Sequence, residues 1–160
     1  MTAAALVAIA LTVVPQTWLV ERDGTSTAGV TVTDRGVTLA FAIGSGPARA
    51  QFAAVVTPIP AGLTAFSRVS FAAHASRPMR INVDLRPAGT HDPPRWRRSI
   101  YLDRTPRTVT VPFDDMRPIG GGSGPAPLAS IGALMFVVDT NNTRPGTSGE
   151  VTLTGVVLER

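Results

Sequence analysis

The amino-acid sequence predicts an all-β protein, an antiparallel β-sandwich or jelly roll, preceded by a short apolar helix. Apolar residues alternate with small or polar residues in several short runs, which is the pattern of a strand with one buried face. Fourteen prolines and fifteen glycines interrupt the chain too regularly for long helices. The 160 residues are enough for one domain with a substantial core.

The first element is an uncharged N-terminal segment. Met1 to Val20 contains no charged residue, and "TAAALVAIALTVV" is apolar almost throughout before Pro15. Twenty helical residues would span about 30 Å, the thickness of a bilayer core. We predict that residues 1–16 form an apolar helix that anchors the chain in a membrane. An atypical signal sequence without a positive n-region, and a helix packed on the domain, are the alternatives.

Trp18 follows this segment and has two interpretations. It is either an anchor at the membrane interface or a side chain that plugs one end of the sandwich.

The strands of the sandwich are predicted within residues 17–160. The apolar positions of the alternating runs are Val37, Leu39, Phe41 and Ile43; Val69, Phe71, Ala73 and Ala75; Ile81, Val83 and Leu85; and Ile100 and Leu102. The run "ALMFVVD" at 133–139 is apolar on both faces and predicts a central strand. "VTLTGVVLE" at 151–159 closes the sheet.

Turn residues separate these runs. The segment "GGGSGPAP" at 120–127 predicts an exposed loop, because a phosphate-binding loop would need a strand-to-helix context and a following lysine. The segment "DTNNTRPGTSG" at 139–149 predicts a loop with local bonds from side chains to the backbone.

Composition excludes several classes of protein. Cysteine is absent, so the chain has no disulfide and no thiolate nucleophile. All fifteen basic residues are arginines scattered along the chain, with a net charge of only +4. Because only Arg95, Arg97 and Arg98 cluster, we predict no binding to nucleic acid.

No catalytic constellation is evident either. Asp114 and Asp115 are adjacent, and on a strand they would point to opposite faces, so they are predicted to lie in a turn. His74 has alanine neighbours and no serine or cysteine motif to assist. The sequence therefore predicts a protein that is not an enzyme.

The polar faces of the strands predict a binding surface. In "RINVDLR" the apolar residues leave Arg80, Asn82, Asp84 and Arg86 on the opposite face. If four strands are neighbours, one polar patch is formed by His74, Asp84, Arg86, Arg97, Tyr101 and Asp139. Forked pairs between arginine and carboxylate are expected there.

Several segments resemble a known group of proteins. They are "VSFAAHASRPMRINVDLR", "RWRRSIYLD", "TVTVPFDDMRP", "LMFVVDTNNTRPGTSG" and "VTLTGVVLER". Over residues 18–160 the chain resembles the galactose-binding-like jelly rolls, in particular family 11 carbohydrate-binding modules and the complex I intermediate-associated protein of 30 kDa.

The resemblance implies a sheet that holds a glycan in carbohydrate-binding relatives. It adds Trp96, at the margin of the sheet, and Asn141, in the loop beside it, to the ligand-binding residues of the polar patch. Such modules often hold a structural calcium near the first and last strands, where Glu21, Asp23 and Glu159 offer oxygen ligands.

The function predicted from these features is a non-catalytic binding module for a glycan. We expect it to be tethered to a membrane on the extracytoplasmic, periplasmic side. The alternative is a structural accessory subunit that binds and stabilises a membrane protein complex, since arginines stand where relatives carry stacking tyrosines and tryptophans.

Overall fold

The computed structural model describes residues 9–10, 18–47, 50–92 and 94–160 and has an all-β architecture. Short 3-10 helices are formed by Phe113–Asp115 and Leu128–Ser130. The strands in chain order are β1 (Ile9–Ala10), β2 (Leu19–Arg22), β3 (Thr27–Val32), β4 (Gly36–Ala42), β5 (Phe52–Pro58), β6 (Arg68–Ala75), β7 (Met79–Pro87), β8 (Arg95–Leu102), β9 (Arg107–Pro112), β10 (Arg117–Ile119), β11 (Ile131–Asp139) and β12 (Ser148–Glu159).

The strands form two antiparallel sheets, which confirms the predicted sandwich. The front sheet has the order β10-β8-β7-β11-β5-β2. The back sheet has the order β3-β4-β12-β6-β9, and β1 also pairs with β12. The doubly apolar run at 133–139 is in β11, which is central as predicted, between β7 and β5.

The core fills the space between the sheets. Phe71 of the back sheet and Phe136 of the front sheet meet edge to face, with ring centroids 5.0 Å apart. Trp18 also packs near Phe136, at 6.2 Å, and is buried. Trp18 is therefore a plug of the sandwich, and burying each such aromatic contributes about 1.5–3 kcal/mol.

The N-terminal helix predicted for residues 1–16 is covered by the structure only at residues 9–10. There Ile9 and Ala10 form a strand, paired with Leu158 and Val157 of β12, so the helical prediction is wrong at these two residues. The rest of the predicted helix lies outside the described residues. Within the described parts of the chain, we find no helix with the length and apolar character needed to span a bilayer.

The predicted turn at Asp114 and Asp115 is confirmed. Both side chains are exposed in the 3-10 helix that follows β9. Phe113 anchors this turn, since its ring is buried in the core.

Candidate binding site

The outer face of the front sheet carries a polar half and an apolar half. On β7 and β8, Asp84 lies directly opposite Arg97. On β11 and β5, Met135 and Val137 lie opposite Val56 and Ala54. Since β7 and β11 are neighbours, charged residues adjoin an apolar patch across one strand boundary.

Arg97 organises the polar half. Its Nε and Nη2 donate to the two carboxylate oxygens of Asp84 at 2.7 and 2.8 Å, the forked geometry that arginine favours. Its Nη1 donates to Oδ2 of Asp139 at 2.8 Å. Arg97 therefore reaches from β8 across β7 to β11 and fixes both carboxylates.

Asp139 is the start of a second set of hydrogen bonds. Its Oδ2 accepts from Asn82 at 3.1 Å, and its Oδ1 accepts from the backbone N–H of Asn141 at 3.1 Å. Asn142 in turn donates to Oδ1 of Asn82 at 3.1 Å. The loop after β11 thus has the local side-chain to backbone bonding predicted for it, and it is tied to the sheet face.

A third ion pair crosses the apolar half. Arg86 of β7 donates to both carboxylate oxygens of Glu21 on β2, at 2.6 and 2.9 Å. Strands β11 and β5 lie between β7 and β2, so the pair spans about 14 Å of sheet. The two side chains consequently extend over the small and apolar residues of these strands, of which Ala54, Met135 and Val137 are almost completely buried.

The ion pairs shift the titration of the carboxylates. The hydrogen bond from Arg86 lowers the pKa of Glu21. Burial raises the pKa of Asp84, while the guanidinium groups of Arg97 and Arg95 oppose that rise. Asp84 has no exposed surface, so its role is to position Arg97 rather than to contact a ligand.

A cleft of about 930 Å³ opens on this face. It is lined by residues of β2, β5, β8, β10 and β11 and by the loops that follow β7 and β11. Arg97, Asp139 and Asn141 contribute polar groups, and Val137 contributes apolar surface. Phe52 is the only Phe, Tyr or Trp among the described residues that line the cleft.

The structure brings five of the eight predicted ligand-binding residues together on this face. They are Asp84, Arg86, Arg97, Asp139 and Asn141. Only Arg97, Asp139 and Asn141 line the cleft itself.

The other three predicted residues lie outside the cleft, and of these the predicted placement of His74 is wrong. His74 lies on β6 and pairs with Thr152 in the back sheet, on the far side of the core. Trp96 is buried in the core and its Nε1 donates to the carbonyl of Gly124 at 2.9 Å, so its ring is not available for stacking on a ligand. Tyr101 is exposed but does not line the cleft, and the guanidinium of Arg107 lies 5.6 Å from its ring centroid.

The three carboxylates proposed for calcium are also separate. Glu21 is held by Arg86 in the front sheet, and Glu159 by Arg68 in the back sheet, at 2.7 Å. Asp23 accepts hydrogen bonds from the backbone N–H groups of Thr25 and Phe52. No group of three or more His, Cys, Asp or Glu side chains suited to a metal occurs among the described residues, so this set does not fit a calcium ion.

Sequence reasoning missed two important members of the face. Glu21 was assigned to a metal site, whereas it forms an ion pair with Arg86 on β7. Strands β11 and β5 lie between the two residues. Arg95 was noted only for its clustering with Arg97 and Arg98, whereas it lines the cleft and is largely buried. Its alternation with Arg97 and Tyr101 on β8 was the available signal, because residues two apart share a face.

Comparison with known proteins places this fold. No protein-family model and no curated protein matches the sequence. Among solved structures, the chain is similar to the family 11 carbohydrate-binding module of the cellulosomal cellulase Lic26A-Cel5E of Clostridium thermocellum, with a TM-score of 0.74 and 17% identity over 97% of this chain and 95% of that one.

Two further structures extend the comparison. The family 11 module from Clostridium thermocellum in complex with a β-1,3-1,4-mixed-linked tetrasaccharide matches with a TM-score of 0.72 and 17% identity, over 98% of this chain and 96% of that one. An agarase matches with a TM-score of 0.63 and 10% identity, over 95% of this chain but only 24% of the agarase. The protein thus has the jelly-roll fold of carbohydrate-binding modules.

Proposed function

We propose that this chain is a non-catalytic carbohydrate-binding module whose ligand occupies the cleft on the front sheet. The observation that carries the proposal is a cleft of about 930 Å³ whose polar groups are already fixed by ion pairs. That volume is in the range of small-molecule sites, about 300–1,000 Å³. The fold of modules such as the one complexed with a mixed-linked tetrasaccharide supports the choice of ligand.

The polar groups of the cleft suit the hydroxyl groups of a sugar. Asn141 is exposed and offers its amide oxygen and one amide N–H, since its Nδ2 also donates to Oδ2 of Asp139 at 3.3 Å. Asp139 is buried and already accepts hydrogen bonds from Asn82, Arg97 and Asn141, so it positions these donors. Because Arg97 and Asn82 hold Asp139 in place, little conformational freedom is lost when a ligand binds. Phe52, which is partly exposed, supplies apolar surface on which a ring face can rest.

A binding role accounts for this cleft better than glycoside hydrolysis does. Hydrolysis needs a pair of carboxyl groups, one of which gives up a proton to the leaving group. Asp139 is bonded to Arg97, and Glu21 is held by Arg86 with a lowered pKa. Asp84 is buried beneath Arg97 and has no surface with which to reach a sugar.

The test is a glycan array probed with the full chain, followed by calorimetry on any hit. We expect Asn141→Ala to weaken binding about fivefold, because one hydrogen bond contributes about 1 kcal/mol. Tyr101→Ala is the matched control: it removes an exposed side chain from the same sheet face but outside the cleft. If no glycan binds, or if Tyr101→Ala is the damaging change, the proposal is wrong.

We also propose that residues 1–16 tether the module to a membrane, with residues 17–160 on the extracytoplasmic side. The support is the uncharged run from Met1 to Val20, and the proposal requires Ile9 and Ala10 to leave their pairing with β12 when the chain is bound to the membrane. Fractionation of native cells tests the tether, and protease treatment of intact spheroplasts tests the side. Release of the chain by carbonate washing would contradict the membrane tether. Protection of the chain from protease would contradict the extracytoplasmic location.

A role as an accessory subunit of a membrane protein complex is the second candidate. It is favoured by the single Phe, Tyr or Trp side chain among the described residues of the cleft, since sugar-binding sites commonly use several stacking rings. Purification in mild detergent followed by mass spectrometry decides between the two. Stoichiometric partners would support a subunit role, and a solitary chain would support the binding module.

A further inference from the structure

The charged residues of the front face are not equally paired. Three arginines, Arg86, Arg95 and Arg97, face three carboxylates, Glu21, Asp84 and Asp139. Arg86 and Arg97 make all the short contacts to these carboxylates, at 2.6–2.9 Å. Arg95 approaches a carboxylate only once, with Nη1 3.8 Å from Oδ2 of Asp84.

Arg95 therefore has spare hydrogen-bond donors at the wall of the cleft. Its one hydrogen bond runs from Nη2 to the backbone carbonyl of His91, at 2.9 Å. Its Nε is buried and has no hydrogen-bond partner, and the side chain as a whole is only 12% exposed. A buried donor without an acceptor is unfavourable, and an acceptor on a bound molecule would remove that penalty.

A second arginine occupies the other side of the cleft. Arg22 at the end of β2 lines the cleft and donates only to the backbone carbonyls of Asp23 and Ser26. Strands β8 and β2 are four strand intervals apart, so the backbones of the two arginines are at least about 19 Å apart. Neither has a carboxylate within hydrogen-bond distance.

From these contacts we infer that the cleft recognises an acidic saccharide, and that Arg95 binds its anionic group. The inference rests on the proposed carbohydrate-binding function and names the class of its ligand. A guanidinium presents parallel N–H donors that match the two oxygens of a carboxylate, and it also binds the oxygens of a sulfate. Of the carboxylates that line the cleft, Glu21 and Asp139 are neutralised by Arg86 and Arg97. Asp23 and Asp92 line it as well, so an acidic ligand must bind with its anionic groups toward the arginines.

Arg22 adds a requirement for length. A ligand with repeated acidic groups can engage Arg95 first and Arg22 only when it extends across the sheet. A longer acidic oligosaccharide should therefore bind more tightly than a short one, and the advantage should decrease with added salt because Arg22 is exposed.

The experiment compares matched ligands on the full chain. Oligogalacturonides, the same oligomers as methyl esters, and sulfated oligosaccharides of similar length are titrated by calorimetry. We expect the free acids to bind at least tenfold more tightly than the esters. Equal binding of the sulfated set would show that the anionic charge, rather than the carboxylate itself, is recognised, and this also supports the inference.

Variants then locate the effect. Arg95→Gln should abolish the preference for acid over ester, and Arg95→Lys should retain only part of it because the fork is lost. Arg98→Gln is the matched control, since Arg98 is an exposed arginine three residues along β8 that does not line the cleft. The ester comparison needs no variant, so the test survives if Arg95→Gln does not fold.

The outcomes separate this inference from the proposed function. If neutral glycans or the esters bind as tightly as the acids, the inference is overturned while carbohydrate binding stands. If no saccharide of any kind binds, both are overturned.

Discussion

At the scale of single residues, Asp84 is a buried carboxylate of the front sheet whose charge needs a partner. It has no exposed surface and depends on the forked bond from Arg97. Removing one partner of a buried ion pair leaves an uncompensated charge, which costs about 3–5 kcal/mol. The polar half of the face is therefore both the candidate binding surface and a place where one substitution can unfold the protein.

Arg97→Gln is expected to lower the free energy of unfolding by about 3 kcal/mol or more, because Asp84 loses its charged partner. The double variant Asp84→Asn with Arg97→Gln should recover part of this loss. Urea denaturation at neutral pH measures both, with Arg98→Gln as the exposed control. A single variant as stable as the parent would show that Asp84 does not need Arg97.

Glu21 gives the face a dependence on pH. The Arg86 hydrogen bond lowers its pKa below the ordinary value of 4.5, so the folded state holds the ionised form more strongly than the unfolded state does. The stability from this pair is therefore complete above about pH 4.5 and is lost as the pH falls through the lower pKa of the folded state.

Glu21→Gln should consequently cost about 1 kcal/mol at pH 7 and progressively less below pH 4.5. Urea titrations of the variant and the parent at pH 7, 4 and 3 measure the difference. Asp115→Asn removes the same charge from an exposed turn and should change stability by less than about 0.5 kcal/mol at every pH. A Glu21→Gln deficit that is constant with pH would argue against the ion pair.

At the scale of elements, the pairing of β4 with β12 depends on Gly36. A Cβ at this position would lie 2.0 Å from the backbone carbonyl oxygen of Leu153, which cannot move without separating the strands. A Cβ added to Gly29, on the adjacent strand β3, would meet no other atom within 4 Å. The two glycines form a matched pair for one test.

Gly36→Ala is expected to destabilise the protein by more than about 2 kcal/mol, since the clash is with backbone rather than with a flexible side chain. Gly29→Ala should change stability by no more than about 0.5 kcal/mol. The midpoints of urea unfolding compare them. Equal midpoints would mean that β4 can shift along β12 without penalty.

Elements also show what the sequence could and could not predict. The alternation in "RINVDLR" predicts correctly that Asp84 and Arg86 share a face, because the side-chain period of a strand is local. It does not predict which strand lies beside it. His74 points outward from its own strand as expected, yet β6 pairs with β12 and β9 in the back sheet. Pairing of distant strands depends on the whole topology, so the sheet to which His74 belongs was not readable.

The candidate site has the same limit. Forked pairs between arginine and carboxylate were predicted, and Arg97 with Asp84 confirms them. The partnership of Arg86 with Glu21 was not predicted, because it requires β2 to lie at the edge of the front sheet. Alternation along β8 separates Arg95 from Arg98, but that Arg95 borders a cleft depends on the distant strands β2, β5 and β10, which the sequence does not place.

At the scale of the whole molecule, the core is continuous between the sheets and supports the cleft from below. Residues of both sheets belong to one buried cluster, which includes Trp18, just before β2, and Trp96 on β8. The faces of β7 and β11 that point away from this core carry the charged and apolar residues of the site. A change that loosens the packing between the sheets should therefore also disturb the face on which the ligand is proposed to bind.

The two tryptophans allow this cooperativity to be measured. Trp18 contacts Phe136 in the core, whereas Trp96 is bonded to the loop at Gly124, so each reports a different region. In Trp18→Phe and Trp96→Phe, which leave one tryptophan each, urea unfolding followed by fluorescence should coincide with unfolding followed by far-UV circular dichroism. Trp96→Phe should also lower stability by about 1 kcal/mol, through the lost hydrogen bond to Gly124.

Should the Trp18 signal change at a lower urea concentration than the circular dichroism, the edge formed by β2 would open before the rest. The ion pair between Glu21 and Arg86 would then be a local clasp instead of part of one cooperative unit.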